Sequence, residues 1–155
     1  MTWWAWLLQL AGLALLAFSL WLIVTRARRD RALKPWALLV ALLGAIIAAL
    51  LFVVLSPSKP PAAVLVPLIL IGPVVGVGIS LAARLELYGK ALVSSQGQWY
   101  ALVWCGFLFI ASLLVIAGQT ASDIAVAIAV FASLGTAGYV LTLYMRYAAR
   151  VYNSA

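Results

Sequence analysis

Five apolar runs, at about 3–25, 35–55, 62–83, 98–118 and 122–145, divide the chain almost without remainder. Apart from Asp123 at the edge of the last, none of them contains an Asp, Glu, Lys or Arg. A bilayer core is about 30 Å thick, and at about 1.5 Å of rise per helical residue roughly 20 apolar residues cross it. Each run meets that length. None shows the period-two alternation of a barrel strand, and backbone groups in hydrocarbon must be satisfied within their own segment, so helices are expected. The expected fold is all-α: one polytopic transmembrane bundle of about five helices over residues 1–155.

Composition supports the same solvent. The chain is 68% hydrophobic and 8% charged, with a mean hydropathy of +1.20, and a small soluble globule still exposes roughly a third of its unfolded surface. That much apolar surface needs lipid. The start, Met1-Thr2-Trp3-Trp4-Ala5-Trp6, lacks the basic opening of a secretory signal, and the run it begins exceeds a signal core, so it reads as a permanent helix.

The net charge of +7 does not form the continuous basic face that nucleic acid requires. It falls in short clusters between runs, as a topology signal does. Arg26, Arg28, Arg29, Arg31 and Lys34 follow the first run, Arg84 and Lys90 the third, and Arg146 and Arg150 the fifth. The second connection has only Lys59 and the fourth has no basic residue. The alternation predicts an N-terminus outside and a C-terminus inside. Membrane lipids are the expected partners, and the Arg26 to Lys34 cluster suits anionic headgroups. Trp3, Trp4, Trp6, Trp21, Trp36, Trp99, Tyr100, Trp104, Tyr144, Tyr147 and Tyr152 sit where interfacial aromatic belts fall.

The third run combines Pro67 with Gly72-Pro73-Val74-Val75-Gly76-Val77-Gly78-Ile79-Ser80, which predicts a kink or break. Pro67, Pro73 and Gly78 are candidates for a hinge or for a path along a discontinuous helix. Gly72, Gly76 and Ser80 recur every fourth residue and form one narrow stripe of small side chains. The fifth run carries a similar ladder, Ala121, Ala125, Ala129, Ser133 and Ala137, with Gly135 and Gly138 beside it, and the second carries Ala41, Ala45 and Ala49. Such rows let helix backbones touch where apolar burial provides no drive. They predict packing within the bundle, between copies, or onto a partner helix. Between the third and fourth runs, residues 84–97 alternate in part and contain glycines, as a small hairpin or an interfacial coil would.

Chemistry is sparse. No histidine is present, Cys105 is the single cysteine, and no nucleophile, base and orienting group occur together, so neither an enzyme, a metal centre nor a bound cofactor is expected. Glu86 lies at the edge of a run beside Arg84, where a local salt bridge is expected, and Asp123 lies at the start of the fifth, where it can cap the helix or favour its dipole.

The basic loop Arg26 to Lys34 with Pro35, the third run ending in Gly76-Val77-Gly78, the exit Arg84-Leu85-Glu86, and Gly89 through Ser95 leading to Trp99-Tyr100 and Trp104 resemble the CcdC-like family of small multi-spanning bacterial membrane proteins. The likeness covers about residues 25–110. It departs from the family's pattern over Phe107 to Gly118, where an arginine is lacking. It implies a bacterial cytoplasmic (inner) membrane location and an accessory role without defined chemistry. The residues themselves point to a non-enzymatic membrane protein acting through helix packing, as a homo-oligomer or a subunit of a larger complex. Two alternatives are a small oligomeric transporter or channel through the third helix, and a lipid- or quinone-handling accessory.

Overall fold

The computed structural model describes residues 34–55, 60–88, 91–94 and 119–153, with Val103 and isolated positions among the first 21. Three helices dominate: α1 (Pro35–Leu55), α2 (Ala62–Ala82) and α3 (Gln119–Asn153). Each holds a stretch long and apolar enough to cross a membrane. The second and third runs have nearly the bounds expected from hydropathy. The fifth is longer, starting at Gln119 and ending at Asn153, because hydropathy stops at the first arginine whereas helical hydrogen bonding does not. The described positions of the first run are helical, with the rings of Phe18 and Trp21 stacked at 5.9 Å. The fourth run, apart from Val103, lies outside the described residues, as do Arg26 to Arg31, Lys59 and Cys105.

Prolines set the helix starts. Pro35 occupies the first position of α1, where a missing N–H costs nothing, and the Lys34 carbonyl accepts from the amides of Ala37 and Leu38 at 3.1 and 3.3 Å. Pro61, at φ −57° and ψ 142°, holds the chain extended before α2, and its carbonyl accepts from Val64 and Leu65 at 2.8 and 3.1 Å. At the far end Ala83 turns extended while its N–H still reaches the carbonyls of Ile79 and Ser80. Of the hairpin and the interfacial coil expected after α2, the described residues take the hairpin: β1 (Leu85–Tyr88) pairs antiparallel with β2 (Ala91–Ser94), Leu85 opposite Ser94 and Tyr88 opposite Ala91.

α3 is the hub. It packs along both other helices, whereas α1 and α2 have no comparable contact with each other among the described residues. The core draws Leu38, Ala41, Ala48 and Phe52 from α1 and Val126, Val130, Tyr139, Val140 and Leu143 from α3. From α2 the buried residues are Gly72, Gly76 and Ser80.

Neighbouring positions also fix the helix directions. Gly72 faces Phe131 and Leu134, and Gly76 faces Gly135 and Tyr139, so numbers rise together and α2 runs parallel to α3. Phe52 and Val53 near the end of α1 line a recess with Pro60, Ala62 and Val126, at the starts of the other two. α1 is therefore antiparallel to both. Lys34, Arg84, Arg146 and Arg150 consequently gather at the hairpin end, and Asp123 lies at the opposite end.

Candidate functional site

The closest meeting of backbones is the α2–α3 crossing. A Cβ on Gly76 would stand 2.8 Å from both the carbonyl carbon of Gly135 and the amide nitrogen of Tyr139, and nearer still to the Gly135 oxygen. One on Gly138 would stand 2.9 Å from the Pro73 Cα and 3.0 Å from its carbonyl carbon. Both helices thus give up side chains where they touch, and dispersion over many close atom pairs holds them together. Gly72 has slightly more room, with Leu134 Cβ and the Phe131 oxygen each 3.3 Å from such a Cβ.

Sequence spacing placed Gly72, Gly76 and Ser80 on one stripe, and all three are buried in this contact. Ala125, Ala129, Ser133 and Ala137 are buried on α3, and Ala41, Ala45 and Ala49 on α1. These rows serve the chain's own packing. Gly78, grouped with the prolines as a hinge, is exposed, and a Cβ there would have nothing within 4 Å. Of the kink or break expected, a break is absent, since α2 is one helix from Ala62 to Ala82 with Pro67 and Pro73 inside it. Each proline removes a single N–H, from the carbonyls of Ala63 and Ile69, and a helix in lipid tolerates such isolated losses. The pairing of Pro73 with Gly138 had no signal in sequence, because nothing there says which helix meets which.

Polar side chains of α3 bond within their own helix. The hydroxyls of Ser133, Thr136 and Thr142 donate to the carbonyls of Ala129, Ala132 and Gly138 at 2.7, 2.7 and 2.9 Å, the usual i−4 arrangement. The Ser80 hydroxyl oxygen is enclosed without a hydrogen-bond partner among the described residues. A sequence search for polar glue finds these residues but not the direction in which they bond.

At the hairpin end, arginines predicted as topology signals also form contacts. Arg146 Nη1 donates to the Ser80 carbonyl and, at 2.9 Å, to that of Ala83, and Arg150 Nη1 donates to that of Leu85 at 3.0 Å. A cation is thereby fixed on the negative end of α2, adding a charged donor to the Ser80 carbonyl, which the Ala83 N–H also reaches, and to the Ala83 carbonyl just beyond the helix. Lys34 is exposed. Of the two roles expected of Asp123 the cap is excluded: α3 begins at Gln119, so Asp123 lies past the first turn. Instead it joins Pro60, Val64, Leu68, Ala127 and Phe131 in lining an apolar groove of about 360 Å³ between the starts of α2 and α3.

The class so defined is a helical chain with three described helices able to cross a membrane. Comparison with protein-family models, curated proteins and solved structures found no match. The CcdC-like resemblance therefore rests on its residues alone.

Proposed function

We propose that the chain is a non-enzymatic, multi-pass membrane protein that acts as a packing subunit, associating with itself or with another membrane protein. The observation that carries this is the outward side of α2. Val66, Leu70, Val74 and Leu81 line up on one face, opposite Gly72, Gly76 and Ser80, and are 54 to 68% exposed. α1 shows Leu43, Leu50 and Val54 in the same way. With the small-residue rows occupied internally, association uses these bulky faces. Native mass spectrometry of protein extracted from its own membrane is expected to show a multimer or a bound second subunit. Leu70→Trp with Val74→Trp should shift that species to the single chain while leaving helix content unchanged. A wild-type spectrum of single chains only would overturn the proposal.

We further infer five spans with the N-terminus outside. The parallel course of α2 and α3 supports the count, because in a bilayer a chain leaving α2 on one side must recross before entering α3. Residues 98–118 are the apolar run available for that crossing, and about 21 helical residues reach roughly 31 Å. The basic residues at the hairpin end support the orientation. With Cys105 replaced by Ala, single cysteines at Glu86 and Gln119, on either side of residues 98–118, are expected to react with a membrane-impermeant maleimide from opposite sides, Gln119 from outside. Labelling of both from one side would remove the fourth crossing.

A further inference from the structure

We propose that Arg146 and Arg150 form a binding site for the phosphate of one anionic phospholipid at the hairpin end of the bundle. The inference rests on reading α2 and α3 as membrane spans, and not on assembly. The two arginines stand one turn apart on α3 and so share a face. Each is pinned through a single nitrogen: Arg146 Nη1 donates to the Ser80 and Ala83 carbonyls, and Arg150 Nη1 to that of Leu85. Ala83 is extended and Leu85 opens β1, so the two outer carbonyls are two residues apart, at most about 7 Å. The guanidinium groups are therefore held side by side. Their other N–H groups are uncommitted and, among the described residues, neither group meets a carboxylate. Like charges at this spacing repel. An anion shared between them removes that cost.

Depth and charge select the occupant. No charged residue stands between Asp123 and Arg146, and that helical stretch, at about 1.5 Å per residue, covers roughly the 30 Å of a bilayer core. Arg146 thus lies at the edge of the hydrocarbon and Arg150 about 6 Å beyond it, within the headgroup layer. A phosphate there offers diverging oxygens that two guanidinium groups can share at about 2.8 Å a contact. A zwitterionic headgroup brings its own cation, which the arginines repel. Among the described residues Glu86 is the one acidic side chain at this end, against Lys34, Arg84, Arg146 and Arg150, so a lipid of net negative charge is selected.

The test is native mass spectrometry of the full chain in a non-ionic detergent, titrated with dioleoylphosphatidylglycerol. Bound lipid and chain number are separate masses, so failure here is distinct from failure of assembly. One lipid per chain is expected to bind about tenfold tighter than dioleoylphosphatidylcholine, the value of one charge-assisted contact. Arg150 is exposed, so Arg150→Gln should keep the fold while weakening that lipid about tenfold. Arg150→Lys should recover part of the loss, since it keeps the charge without the planar fork. Lys90→Gln removes an equal charge from the link between β1 and β2 and should cost much less. Inorganic phosphate at the lipid's concentration should not displace it. Equal binding of the two lipids, equal losses in Arg150→Gln and Lys90→Gln, or displacement by inorganic phosphate would each overturn the assignment.

Discussion

Gly76→Ala is expected to destabilise the folded chain by about 3 kcal/mol or more, at or beyond the upper end of ordinary overpacking. The added methyl would meet the backbone of Gly135 and Tyr139. No rotamer change can relieve that contact, so the helices must move apart, and with them go the close pairs at Gly72 and at Pro73–Gly138. Gly78→Ala is the matched control: the same residue type in the same helix, with open space around it. It should be neutral or stabilising by up to about 1 kcal/mol through helix propensity. Denaturant titration in mild detergent, followed by circular dichroism and near-ultraviolet signals from the aromatic residues, separates the two. Equal stability of the two variants would mean that α2 and α3 do not touch as described.

Arg146→Ala carries the second large effect. It leaves the Ser80 and Ala83 carbonyls without their charged donor, in a part-buried setting where hydrogen bonds to charged groups contribute about 1.5–3 kcal/mol each. A loss of about 2–3 kcal/mol is expected, together with faster amide exchange in the last turn of α2 and in β1. Arg146→Lys should recover part of the loss, since the charge remains while the planar guanidinium does not. Arg150→Ala should have a smaller effect, because the side chain is exposed and holds only the Leu85 carbonyl. Exchange rates unchanged in Arg146→Ala would show that the arginine is a bystander at that helix end.

Hydropathy found α1 and α2 to within a residue because lipid-sized helices announce themselves by length and by the absence of charge. It misjudged the end of α3, where Arg146 and Arg150 interrupt the apolar pattern while the helix continues and their side chains reach sideways to α2 and β1. Four-residue spacing identified Gly72, Gly76 and Ser80, since residues so spaced share a helix face. The same reading could not separate Gly76 from Gly78: both are small, and only the partner helix distinguishes a contact from open space. Pro73 reads as a breaker in isolation, yet the helix continues through it. The groove at Asp123 was illegible for a related reason, since its two walls lie more than fifty positions apart in the chain.

That α3 is the hub sets an order of events during synthesis. The two helices that need it, α1 and α2, leave the ribosome first, and neither has a comparable contact with the other among the described residues. Until residues 119–153 are made, the glycine line of α2 has no surface to meet. The sides of α1 and α2 that face α3 therefore close only once it is made, and a nascent chain stalled before residue 119 would carry those two apolar faces without the helix that covers them.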